Sequence, residues 1–184
     1  MTRRNESGFS LVTVLMMMVV LVSLALAGMN SSLVQERMAG NARDRNIALQ
    51  AAEAALRDAE ADIEANLSVA SPFVSACTSG LCLPPSMTSS NPTSQPLWQT
   101  VDWSASAAKS RAYGSVTGAT ALPGVSAPPR YIVELLPVLP PVSGQSANLG
   151  NSDDGTAQAF RISVRATGLR TSTVVILQST YVKR

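Results

Sequence analysis

The residues of this sequence that could carry chemistry are few, and the first are two cysteines. Cys77 and Cys82 lie close together in a Ser/Pro-rich segment. Their spacing is not C-x-x-C and no other metal ligand is near, so a metal knuckle is not indicated. In an exported chain the oxidising compartment favours a structural disulfide, worth roughly 2 kcal/mol for so small a loop on the chain-entropy account. A redox pair or two free thiols are the alternatives. There is no histidine, which removes Ser-His-Asp and Cys-His nucleophile systems and the usual histidine-containing zinc sites. No GxSxG, Walker A or GxGxxG pattern occurs. Ser106-Ala-Ala-Lys109 matches S-x-x-K, but its companions S-D-N and K-T-G are missing. Asn151-Ser-Asp153-Asp154-Gly155 looks like half a calcium loop. Aligning its glycine with the loop's invariant one places Gly150 and Ser152 where acidic ligands belong, so a polar turn is the better reading. No catalytic residue, metal or cofactor is expected, and the chain reads as a non-enzyme.

The elements that would position these residues begin with an apolar run. The chain has 184 residues, enough for one modest domain and an appendage. Charged residues make up only 14%, and none occurs between Glu6 and Glu36. Phe9 to Met29 is long enough, at helical rise, to span the hydrocarbon core of a bilayer. Arg3 and Arg4 put the preceding residues on the cytoplasmic side. Ser10, Thr13 and Ser23 can return their hydroxyls to the helix backbone. Two processing schemes fit: cleavage between Gly8 and Phe9, which keeps the apolar helix, or signal-peptide cleavage after Ala25-Leu26-Ala27. The residues beyond Met29 favour the first, because they continue the helix. Ser31 to Leu67 has no proline and a single glycine, Gly40. Met38, Ala42, Arg45, Leu49, Ala52, Leu56, Ala59 and Ile63 recur at helical steps as one stripe. Glu53, Asp58, Glu60 and Glu64 read as a solvated or subunit-facing surface. The net charge of +2 shows no basic face, and no direct nucleic-acid partner is expected.

Residues 68–129 are rich in Ser, Ala, Pro, Thr and Gly and read as a long connecting loop. They hold both tryptophans, Trp98 and Trp103. These either pin the loop to the rest of the domain or form an exposed partner-binding patch, since Trp is enriched at interface hot spots. Three strands come next: Tyr131–Leu136, Ala159–Ala166 and Thr171–Val182. The second alternates, with Phe160, Ile162, Val164 and Ala166 on one face and Arg161, Ser163 and Arg165 on the other. Gly168-Leu-Arg170 reads as a short hairpin loop. The expected fold is α+β: a helix of about fifty residues whose second half packs on a C-terminal antiparallel sheet. The organisation is then 1–8 leader, 9–30 apolar helix half, 31–67 amphipathic half, 68–129 loop region and 130–184 sheet.

The first third of the chain also resembles a known family. Gly8-Phe9-Ser10-Leu11-Val12 is similar to the processing signal of type IV prepilins. Glu36-Arg37-Met38-Ala39-Gly40-Asn41, Asp44-Arg45-Asn46 and Gln50 to Glu60 (QAAEAALRDAE) resemble the PilX-type minor pilins. The resemblance implies a pilin fold, a prepilin peptidase that cuts between Gly8 and Phe9, and N-methylation of Phe9. It implies a subunit held in the inner membrane by a single span, its C-terminal domain periplasmic, then drawn into the pilus. The expected partners are other minor pilins, the major pilin, the inner-membrane assembly platform and a tip adhesin, with membrane lipid before assembly. Assembly, adhesion and twitching motility would be the processes served. In the family the fifth mature position is usually Glu; here it is Thr13. A lone carboxylate in the bilayer is costly, so its absence eases storage and removes one docking contact, which points to the filament tip. A pseudopilin of type II secretion shares the leader and helix and is the nearest rival. A periplasmic binding protein cut after Ala27 is a rival of another class.

Overall fold

The computed structural model describes residues 9–85, 95–137 and 158–183. Gly8 and the segment 151–155, read from the sequence as a polar turn, lie outside them. Two compact units result, residues 1–43 and 44–184. In the first, the described residues are helical and every described side chain is exposed. The helix spans Phe9–Asn66, and its 48–62 segment is dominated by Ala, Leu, Glu and Gln, which lose little entropy in a helix.

In the second unit the helix packs on a sheet through small residues. Ala48, Ala51, Ala52, Ala55, Ala59 and Ile63 are buried against Tyr131, Val133, Phe160, Ile162 and Val164. Alanines on one side admit large side chains from the other, so the layers interdigitate at interior density. The expected stripe is partly corrected here. Ala52, Ala59 and Ile63 are buried and Leu56 half-buried, but Met38, Ala42, Arg45 and Leu49 are exposed, Met38 at 66%. The buried face is carried mainly by alanines, which present the sheet with a flat surface, and Leu49 sits beside it.

The sheet has five strands: β1 Leu81–Cys82, β2 Arg111–Ala112, β3 Arg130–Leu135, β4 Gln158–Thr167 and β5 Val174–Lys183. Its order is β1-β3-β4-β5, with β2 also on β3. The β3–β4 and β4–β5 pairs are antiparallel, as expected. β1 and β2 come from the segment read as a loop and share one edge of β3, β1 running parallel to it and β2 antiparallel. The sheet is therefore mixed. Strands of two residues leave no periodicity to read; they exist because β3 offers them an edge.

Lys183, at the end of β5, caps the helix. Its ammonium donates to the carbonyls of Ile63 (3.0 Å), Glu64 (2.7 Å) and Leu67 (3.0 Å). The last turn of the helix contains no basic residue; a cation from the sheet gathers the carbonyls at its C-terminal end and complements its dipole.

Candidate functional site

The N-terminal segment is built for an apolar environment. Phe9–Leu26 has a mean hydropathy of 2.7 and none of it is buried; Phe9 itself is 75% exposed. Two of the hydroxyls inside it are bonded to the helix's own backbone. Thr13 Oγ1 donates to the Ser10 carbonyl at 2.9 Å and lies 3.2 Å from that of Phe9. Ser23 Oγ donates to Val19 O at 2.8 Å. No charge is carried through this stretch, so neither lipid nor packed helices would meet an unpaired charge there.

Cys77 and Cys82 are joined, with their Cα atoms 4.4 Å apart. The bridge closes a turn in which Cys77, Ser79 and Gly80 have positive φ. It is buried with Ile132 on the face of the sheet away from the helix, and Leu97, Val101 and Trp103 pack against it. Trp103 Nε1 donates to the carbonyl of Trp98 at 3.2 Å, which closes the helical turn Leu97–Thr100. Both tryptophans are half-buried. Two faces of β3 are thus covered, which explains why Tyr131–Leu135 is a nearly continuous apolar run. On this second face Glu134 is buried, opposite Arg161, whose guanidinium lies 3.8 Å away. Burial pushes the Glu134 carboxyl up, and Arg161 opposes the shift.

The groups that lock this unit together are three aspartates of the helix. Asp44, Asp58 and Asp62 all lie on the helix face that carries Ala48, Ala51, Ala55 and Ala59, and all are buried. Asp58 does not lie on the solvated or subunit-facing surface that its spacing suggests; it accepts the Gly114 N–H at 2.8 Å and the Thr117 hydroxyl. Asp62 pairs with Arg111 and accepts from Tyr131 Oη and Asn66 Nδ2, each at 3.0 Å. Burial and the charge of Asp62 push the Tyr131 phenol up. Asp44 accepts from Leu169 N–H and Thr173 Oγ1, both at 2.6 Å. That contact lengthens the expected Gly168–Arg170 hairpin loop and delays β5 to Val174. One signal could have found them: an acid in register with an alanine stripe cannot face water, and must find a partner inside.

The Thr173 hydroxyl first, then the Leu169 and Arg170 N–H groups and the Arg170 charge, hold the Asp44 carboxyl below its usual value against partial desolvation. A depressed folded pKa gives stability that is present above the unfolded pKa, about 3.9, and is lost as pH falls through the folded value. The urea midpoint of the protein in detergent is therefore expected to drop between about pH 5 and about pH 3, and Asp44→Asn to drop less. Equal drops in both would remove Asp44 from the acid response.

The S-x-x-K residues occupy an exposed turn beginning at Ser104, where Ser106 Oγ lies 3.2 Å from Ser104 Oγ and Lys109 is exposed. Among the described residues no group of His, Cys, Asp and Glu could hold a metal ion. A family model described as PilX N-terminal matches residues 7–57. One described as type IV pilus assembly protein PilX C-term matches residues 78–183. No curated protein and no solved structure matches the chain.

Proposed function

The chain belongs to the PilX family of type IV pilus assembly proteins, and from that premise we propose that it is a non-catalytic minor pilin that helps start pilus assembly within a tip complex. Family membership implies a structural minor pilin that interacts with other pilus components. The observation that carries the finer reading is the exposed, charge-free helical segment Phe9–Leu26. It has two solvents available to it, lipid before assembly and neighbouring helices afterwards. Transfer of that much apolar surface into water is prohibitive at about 25 cal/mol per Å², so extraction needs an ATP-driven motor and an inner-membrane platform. Val34 and Met38, also exposed, are further apolar positions that adjacent subunits would cover. Thr13 has its hydroxyl committed to its own backbone and carries no charge, so it cannot pair with an N-terminal amine as a glutamate would. A subunit with one docking contact fewer suits the end of the filament, beside other minor pilins and a tip adhesin. The C-terminal domain lies in the periplasm until then.

The test is mass spectrometry of the N-terminal peptide, from cells with the native gene and from a prepilin-peptidase deletion. A peptide beginning at N-methylated Phe9, lost in the deletion, is the expected result. A peptide beginning at Gly28 in both strains would mean conventional signal-peptide cleavage and would end the pilin reading of this helix.

A further inference from the structure

On the sheet face away from the helix, β3 and β4 place two arginines directly opposite each other, Arg130 against Arg165. Like charges at such positions destabilise an antiparallel pair. Both line a cavity of about 310 Å³ whose walls include Trp103, Ser104, Ala105 and Thr167, with no acidic residue among the described residues that line it. Arg130 is pinned: its Nε donates to Ser110 Oγ at 2.7 Å and a terminal nitrogen to Ser110 O at 2.5 Å. Its other terminal nitrogen has no described partner. Burial pulls the Arg130 guanidinium below its ordinary pKa. Arg165 is half-buried and makes no hydrogen bond or ion pair among the described residues. The neighbouring charges are accounted for elsewhere: Glu134 faces Arg161, and the Asp102 carboxylate accepts the Ser104 N–H at 2.8 Å with Lys109 near it.

We propose that this cavity is a docking site for a carboxylate side chain on an acidic segment of a protein partner. Two guanidinium forks can each meet a carboxylate in a bidentate manner, and a tryptophan wall supplies the desolvated contact typical of interface anchors. The size admits one side chain. A nucleic acid fits less well, because two cations do not track a phosphate backbone. The opposed arginines, unfavourable in the isolated subunit, become favourable once an anion lies between them. The proposal concerns the purified chain and does not rest on the pilin reading.

The test uses the full chain in an uncharged detergent, with ¹⁵N-labelled arginine observed at Nε. The probes are a blocked Gly-Glu-Gly peptide, its Gly-Gln-Gly counterpart and an oligothymidylate. The Glu peptide is expected to give saturable shifts at Arg130 and Arg165 with a millimolar Kd, about tenfold tighter than the Gln peptide. The shifts should be lost in Arg165→Gln. No saturation, equal binding of the two peptides, or tighter binding of the oligothymidylate would overturn the proposal. A second measurement separates a docking residue from a structural one. Without ligand, Arg165→Gln should hold or raise the thermal midpoint, by about 1–2 °C if the like-charge strain is typical. A fall of several degrees would make Arg165 part of the fold's own framework and remove it from the site.

Discussion

Replacing Asp62 with alanine is expected to destabilise the sheet-bearing unit by about 3–5 kcal/mol, the cost typical of breaking a buried ion pair from one side. Asp62 is wholly buried and serves three donors at once, Arg111, Tyr131 and Asn66. Arg111 extends the network, since its Nε also donates to Ser79 O at 2.7 Å inside the disulfide turn. One carboxylate therefore joins the helix, β2, β3 and the Cys77–Cys82 loop. Its removal leaves one terminal nitrogen of Arg111 and the buried Tyr131 phenol without their acceptor, and each costs more unpaired than its bond contributed when made. Tyr131→Phe removes a single bond and should cost about 1 kcal/mol. Urea unfolding followed through Trp98 and Trp103 fluorescence reads both, and the double variant gives the coupling. Asp62→Ala costing no more than Tyr131→Phe would show that Asp62 does not hold the layers together. Against a typical total of about 5–15 kcal/mol, the expected loss would also lower the number of assembly-competent subunits.

Gly168→Ala should destabilise by about 2–4 kcal/mol, the sum of overpacking and of a displaced hydrogen-bond acceptor. The sign is informative, because glycine to alanine at a permissive site stabilises by reducing unfolded-state entropy. Here a Cβ would lie 2.6 Å from the backbone oxygen of Asp44 and closer still to its side-chain Oδ1. Neither can yield cheaply. The backbone belongs to the helix, and the carboxylate is held by Leu169 and Thr173. Gly168 also closes the β4–β5 loop, donating to Thr173 O at 3.0 Å and accepting from Ser126 N–H at 2.7 Å. A methyl would push the β4–β5 hairpin off the helix at the point where Asp44 grips it. Thermal unfolding by circular dichroism checks this, with Gly40→Ala, where a Cβ meets open space on the helix, as the permissive comparison. A rise in the midpoint for Gly168→Ala would mean that the hairpin can slide and that the contact is not fixed.

Each level of this protein was legible to a different degree. The apolar stretch from Phe9, the long helix, the three principal strands and the α+β class come from the sequence alone. They rest on local periodicity: a charge-free run cannot stay in water, and alternation such as Phe160 to Ala166 has one stable use. The ERMAGN and QAAEAAL blocks indicated the family by the same local route. Tertiary structure decided the rest. It chose alanines over Met38 and Leu49 as the buried face, because a sheet of large side chains needs a flat partner. It made β1 and β2 from a segment without periodicity, because β3 had an open edge. Above all it turned Asp44, Asp58 and Asp62 inward. A carboxylate's partner can be far away in sequence, as Thr173 is from Asp44, so its role is fixed only when the chain has folded and the donors have been brought to it.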